Sequence, residues 1–473
     1  MGRWALIAVG YGSTGLLVFL TVTRPIQVER GLAAWVGWVA LVPFLPAMAR
    51  FAIQVCTAPF YEPLMAEARR QRLAITGAVA SHPSVSVLVP AWNEEVGIIA
   101  TVESILASDY PDLEVIVIDD GSTDGTSRAV AQLVEHQSAR GEGHRLRLVT
   151  QRNTGKAGAL NRGVQLARGE IIVTTDADSV MEPDAISHIV RVFEDTQAMS
   201  VAGNVKVGSD ASAVGLVQQM EYAYSFFVKK SDALLNTIYI VGGAAAAYRR
   251  EVFDLLGGFD EDIITEDIEM STRIQDAGWK VSYAADAVIW TEGAADLPGL
   301  ARQRLRWKFG RLVTFWRYRH MFFRIGGGRN PWLTVAALPG AAFADLALLM
   351  APVASALLLA HSLWTSDFRF LLAYAVVLAI VFVIAVMRDR LWRRQKDQLL
   401  MAPVMWVVAF LIELIEVQAL VRSVVRMARG QGLAWQRWQR RGVFVDAPAV
   451  LRAPMATGTA EAHQPEVGGE PRR

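Results

Sequence analysis

The sequence predicts an α/β fold, a mixed and mainly parallel sheet with helices on both faces, flanked by transmembrane α-helices. Three observations predict it. Apolar residues make up 53% of the 473 positions and mean hydropathy is +0.28, yet 20% of residues are charged, which is too apolar for one soluble domain and too charged for a bundle of spans. The apolar residues gather in long stretches near both ends. Between them, short β-branched runs alternate with polar, helix-length segments, the pattern of a sheet covered by helices. The 47 basic and 46 acidic residues leave a net charge of +1, which gives no sign of a nucleic-acid partner.

Residues 4–23 form an apolar stretch closed by Arg24 and Pro25, and residues 32–49 a second closed by Arg50. Each is long enough to cross a hydrocarbon core of roughly 30 Å, so residues 1–66 read as two N-terminal transmembrane helices. Arg3 also suits the start of a signal peptide, but no small-x-small cleavage site follows cleanly and a second span comes at once. The single cysteine, Cys56, excludes an internal disulfide and reads as a buried thiol. Residues 67–295 form the α/β domain, in which 85–89, 114–118, 147–150 and 171–174 each read as a buried parallel strand ending in a polar or glycine-rich loop.

Residues 296–330 read as interfacial amphipathic helices with Trp307, Phe309 and Trp316 on the apolar side. Residues 331–425 return to high hydropathy, with candidate spans at 333–360, 370–387 and 399–421; Pro339, Asp345 and Pro352 suggest an interfacial helix followed by a span for the first. Arg388, Arg390, Arg393, Arg394 and Lys396 mark the loop after the second as cytoplasmic. The basic residues of 422–441 favour the same side, whereas simple alternation puts them on the other. Asp345, Glu413 and Glu416 lie in apolar segments, where they suit either a wet path for a polymer or helices that never fully enter the bilayer. Residues 426–473 are a basic segment and a tail, disordered by composition from about Val445.

In open parallel sheets, ligands collect at the carboxyl ends of strands. The first strand runs into Pro90-Ala91-Trp92-Asn93-Glu94-Glu95 and the second into Asp119-Asp120-Gly121-Ser122-Thr123-Asp124-Gly125. Such amides and carboxylates can hydrogen-bond a base and a ribose, although Asp-Gly and Ser-Thr-Asp-Gly alone more often cap a helix and make a turn. The third loop sets Lys156 among small residues, ending at Asn161, as a phosphate-facing loop would. The fourth holds Asp176 and Asp178 on alternate positions, and an Asp-x-Asp at a strand end can hold Mg²⁺ or Mn²⁺ bridging two phosphates.

With Thr265-Glu266-Asp267 and Gln303-Arg304-Leu305-Arg306-Trp307 following in order, the chain resembles the processive membrane glycosyltransferases of family 2, which include cellulose, chitin, hyaluronan and poly-N-acetylglucosamine synthases. The resemblance spans nearly the whole chain apart from the tail and implies a GT-A-like fold. It implies that Pro90, Glu94, Asp119 and Asp120 meet the uridine, and that Lys156, Asn161 and Asp176 meet the nucleotide sugar. Asp178 and Asp176 would then hold the metal, with Asp178 as the direct ligand. Asp267 becomes the general base with Glu266 beside it, Arg304 and Arg306 serve the pyrophosphate, and Trp307 with Gln303 serves the acceptor. The bland reading of that last segment is an aromatic membrane anchor with snorkelling arginines. Residues 241–249, Val-Gly-Gly-Ala-Ala-Ala-Ala-Tyr-Arg, depart from the family's more polar acceptor loop.

The expected activity is transfer from a UDP-sugar, first of all UDP-N-acetylglucosamine, to a growing β-linked polysaccharide with inversion, coupled to export. The expected setting is the inner or plasma membrane with a cytoplasmic catalytic domain, the bilayer and an accessory membrane subunit as partners, and no nucleic acid. Two other readings stand beside it: single addition to a lipid-linked acceptor, and a non-catalytic transporter that binds nucleotide-sugar. The segment after residue 421 is too short for an appended cyclic-dinucleotide barrel.

Overall fold

The computed structural model describes residues 2–23, 45–77, 82–208 and 212–433. Helices α1 (Arg3–Thr23), α2 (Leu45–Thr57) and α3 (Tyr61–Thr76) precede the sheet. The domain then runs β1 (Val85–Ala91), α4 (Ile98–Leu106), β2 (Leu113–Asp119), α5 (Thr126–Ala139), β3 (Leu146–Thr150), α6 (Gly155–Leu166), β4 (Ile171–Thr174) and β5 (Ser179–Met181). It continues through α7 (Ala185–Thr196), β6 (Ser200–Val207), α8 (Ala213–Leu234), β7 (Ala246–Arg249), α9 (Arg250–Leu256), α10 (Glu266–Asp276) and β8 (Val281–Thr291). Helices α11 (Leu297–Arg317), α12 (Leu338–Thr365), α13 (Arg369–Met387) and α14 (Met405–Ala428) follow.

The strand order is β3-β2-β1-β4-β7-β6-β8-β5. All four strands expected from the sequence are present and mutually parallel, β1 lying between β2 and β4 with β3 outside β2. Strand β7 is antiparallel to β4 and β6, β6 is parallel to β8, and β5 is antiparallel to β8. Strict alternation sorts the side chains into two layers. Val85, Val87, Val89, Val115 and Val117 face α4, α5 and α7, whereas Leu88, Ile116, Ile118 and Ile172 face α6, α9 and α10. Each such buried side chain contributes about 1.5–3 kcal/mol.

Four helical runs among the described residues are long and apolar enough to cross a membrane: Arg3–Thr23, Trp332–Thr365, Arg369–Met387 and Lys396–Ala428. Most of the second N-terminal span expected from the sequence, 32–49, lies outside the described residues, as do the tail and Arg437, Arg440 and Arg441. The segment expected to divide into an interfacial helix and a span is one continuous helical run, opening in a π turn over Trp332–Ala337. Pro339 falls in the first turn of α12, where a missing N–H breaks nothing, and Pro352 is absorbed inside the helix. Cys56, expected to be buried, is exposed on α2.

The basic loop after α13 is docked on the domain. Lys206 Nζ lies 2.6 Å from Asp389, Arg390 donates to Asp184 and to the carbonyl of Asp286, and Arg394 reaches Glu182 at 3.3 Å. Lys230 on α8 donates to the carbonyl of Arg388 at 2.8 Å.

Candidate active site

The carboxyl ends of β1 and β2 are clipped together by their own loops. Asn93 adopts φ 57°, a conformation that asparagine tolerates, and its Oδ1 accepts from the amides of Thr123 (2.7 Å) and Asp124 (3.3 Å). The amide of Glu94 donates to Thr126 Oγ1, and Glu95 Oε2 accepts from the amide of Gly125. Asp119 Oδ1 accepts from the amide of Ser122 at 3.0 Å. These bonds fix Pro90, Glu94 and Asp119 at one strand-end corner.

Asp120, expected beside Asp119 at the nucleotide, turns to the third loop instead. Its carboxylate accepts from the amides of Thr154 (2.9 Å) and Gly155 (2.8 Å) and from Gln151 Nε2 (2.8 Å). That charge satisfies orphan amides at the start of α6 and complements its dipole. Asn161 is also redirected: Nδ2 donates to the carbonyl of Phe259 and to Glu261, and Oδ1 accepts from the amide of Phe259. Both amide atoms therefore hold the 259–261 turn, away from the Lys156 cluster.

Lys156, on the first turn of α6, crosses to Asp176 (2.6 Å) and Glu266 (3.0 Å). Burial pulls its ammonium down, but Asp176, Glu266 and Asp267 together outweigh burial and hold it well above the ordinary lysine range. Burial raises Glu266, and the neighbouring charge of Asp267 adds to the rise against the pull of Lys156. Thr265 is the N-cap of α10, with Glu266, Asp267 and Glu269 in its first turn, where the helix dipole favours carboxylates. Glu266 is buried, while Asp267 beside it is only half-buried and open to a reactant.

Asp176 is partly open beyond β4, whereas Asp178 is buried, 3.4 Å from Ser179 Oγ and 3.5 Å from Thr291 Oγ1. Among the described residues no group of three His, Cys, Asp or Glu forms a metal cage. Two hard carboxylates fit a cation that draws its other ligands from phosphate and water.

Helix α11 packs on the N-terminus of α10 through Gly310, where a Cβ would stand 2.0 Å from Thr265 Oγ1. Gln303 and Thr314 share that helical face with Gly310, and Gln303 Oε1, Thr265 Oγ1 and Thr314 Oγ1 are buried without a hydrogen-bond partner among the described residues. Arg304, expected at the pyrophosphate, is turned the other way: it pairs with Glu221 (2.5 Å) and Glu416 (3.7 Å) and lies 4.4 Å from the ring of Trp307. Lys308 binds Asp345 (2.9 Å) and Glu416 (2.7 Å), and Arg311 also pairs with Asp345. Arg306 and Trp307 remain half-buried on the helix. Trp307, Phe309 and Trp316, expected on one apolar side, are divided: Phe309 is buried and Trp316 is 67% exposed.

Sequence reasoning missed Gly310, whose signal was a glycine inside a helix-length pattern. Gly243 belongs to the 241–249 segment already singled out from the sequence, and a Cβ there would come 2.7 Å from Lys156 Nζ and 3.8 Å from Asp267 Oδ2. The small residues of 241–249 therefore border the site.

The GT-A-like fold gathers a lysine, an Asp-x-Asp and a helix-borne carboxylate at its strand ends, the residue types that the sequence motifs led one to expect there. Residues 82–310 match the model of the family described as glycosyltransferase like family 2. Over these residues, just under half of the chain, the protein is similar to glycosyltransferase family 2. The poly-beta-1,6-N-acetyl-D-glucosamine synthase of Staphylococcus epidermidis is 30% identical over 229 residues, 48% of this chain and 54% of that protein. The enzyme of the same name from Staphylococcus aureus (strain COL) is 30% identical over 228 residues, with the same coverage. The chain thus spans about half the length of these curated relatives. The solved mannosyltransferase PcManGT of Pyrobaculum calidifontis, in complex with GDP-Man and Mn²⁺, shares the fold with a TM-score of 0.53 and 24% identity, over 83% of this chain and 99% of that one.

Proposed function

We propose that this protein transfers sugar units from a UDP-sugar, UDP-N-acetylglucosamine first, to a growing β-linked polysaccharide, with inversion at the anomeric carbon and coupled to export. The observation that carries the reading is the open carboxylate of Asp267 beside the Lys156, Asp176 and Glu266 cluster, bordered by Gly243. Asp267 takes the proton of the acceptor hydroxyl as that oxygen attacks the anomeric carbon opposite the leaving diphosphate. Lys156 offers that diphosphate a charge that stays on, and Arg306 stands on α11 to meet it. Glu94, Asp119 and Pro90 line the uridine corner, and Trp307 offers the acceptor sugar an indole whose ring Arg304 also meets.

Mg²⁺ or Mn²⁺ at Asp178 and Asp176 would supply charge neutralisation of the leaving diphosphate. The Mn²⁺ named with the mannosyltransferase supports this, and the names of the staphylococcal relatives support the sugar. The docking of the basic 388–396 loop on the domain supports a cytoplasmic active site, since the two share one side and positive loops stay inside.

The test uses purified protein in lipid with Mg²⁺ or Mn²⁺ and radiolabelled UDP-sugars. Long polymer from one donor is expected, with Asp267→Asn lowering turnover by about 10²–10⁴-fold. Short, lipid-extractable product would replace this reading with single addition, and metal-dependent transfer from no donor would sink it.

A further inference from the structure

Helix α8 carries a lysine that none of these roles uses. Lys229 Nζ donates to the carbonyls of Ile240 (3.3 Å) and Val241 (3.4 Å) and stands 4.6 Å from the centroid of the Phe226 ring. Its hydrogen-bond partners are thus carbonyls rather than carboxylates. Those carbonyls open the segment that turns through Gly242 (φ 95°) to Gly243, the residue bordering Lys156, Glu266 and Asp267. The same segment is tied from its other side: the amide of Val241 donates to Ser271 Oγ at 3.0 Å, and the Ser271 hydroxyl donates to the carbonyl of Asp267. Val241 is therefore held between α8 and α10, and the second tie ends on the residue that carries the base.

We propose that Lys229 is a positioning residue of the transfer reaction, fixing the Gly242-Gly243 turn against Asp267 through the carbonyls of Ile240 and Val241, and that its ammonium form is the one that does so. The proposal rests on the reading of Asp267 as the base. The charged groups that face Lys229 are Asp232 on its own helix and Asp267 on α10. Burial outweighs both and pulls its pKa from 10.5 to about 8. Losing the proton weakens the charge–dipole hold on two carbonyls and removes a positive charge near Asp267, so activity falls as pH rises through about 8. Stability moves the other way. The folded pKa lies below the unfolded one, so between these values the unfolded chain binds more protons, and this group makes the fold more stable as pH rises through that window. Alkaline loss of activity without loss of stability is the signature.

The experiment compares full-length wild type, Lys229→Arg and Lys229→Met in lipid. It reads kcat, donor KM and thermal stability against pH, and amide exchange of residues 240–245, corrected for base-catalysed intrinsic exchange, on the same samples. Wild-type kcat is expected to track the ammonium fraction above about pH 8 at constant donor KM. Lys229→Arg, which keeps its charge, should move that limb up by at least about one pH unit. Lys229→Met should lose about ten- to a hundredfold in kcat at neutral pH, show no limb near pH 8, and exchange faster over 240–245. An unmoved limb in Lys229→Arg, or wild-type exchange of 240–245 in Lys229→Met, would overturn the proposal. Absence of transfer by the wild type would sink the reading of Asp267 alone, and the exchange comparison would still decide Lys229.

Discussion

The strand-end loops and helix α11 hold their active-site residues by opposite means. At the ends of β1, β2 and β3, side chains are fixed by neutral backbone amides from the adjacent loop, as Asn93 is by Thr123 and Asp120 by Thr154 and Gly155. Helix α11 is fixed by charge: Arg304, Lys308 and Arg311 project from one face onto Glu221 of α8, Asp345 of α12 and Glu416 of α14. Its opposite side rests on Thr265 through Gly310. The difference teaches how far a disturbance travels. A lost amide contact stays local to the loops it joins, whereas removing one buried carboxylate, Asp345 or Glu416, leaves two cations of α11 short of a partner and loosens the apolar helix that carries it.

Three substitutions grade that contrast. Glu416→Gln leaves Arg304 and Lys308 under-compensated in a buried setting and is expected to destabilise by about 3–5 kcal/mol, read as a fall in Tm in lipid or detergent. Gly310→Ala drives a methyl into Thr265 and is expected to cost about 1–3 kcal/mol. Its kcat should fall more than its donor KM rises, because the strain lands on the helix that presents Asp267. Arg390→Ala removes a half-exposed pair with Asp184 and is expected to cost no more than about 1 kcal/mol. Should Glu416→Gln melt no earlier than Arg390→Ala, buried charge is not what secures α11.

The four parallel strands, their terminal loops and the Thr265-Glu266-Asp267 turn were legible because each depends on local pattern: alternation, a polar stop, and carboxylates at a helix start. The destinations of Asp120, Asn161 and Arg304 were not. Each is a polar group whose partner comes from a segment remote in sequence, and motif spacing says nothing about which neighbour claims it. The proposed common face of Trp307, Phe309 and Trp316 could have been rejected from sequence, since residues two apart on a helix point to nearly opposite sides. Asp345 and Glu416 show the converse. Their partners lie on α11, a polar-patterned helix, so only assembly reveals that both face the protein interior.

The loop after α13 also sets a timetable. Glu182, Asp184 and Lys206 belong to a sheet domain completed near residue 291, about a hundred residues before Asp389, Arg390 and Arg394 arrive. Since chains fold from the N-terminus during synthesis, the growing protein carries a finished sheet that waits for Asp389, Arg390 and Arg394 to reach Lys206, Asp184 and Glu182 until α13 turns back and delivers them. A ribosome stalled just after Met387 would therefore present the domain without these three ties, and the last helices would dock against a domain already folded.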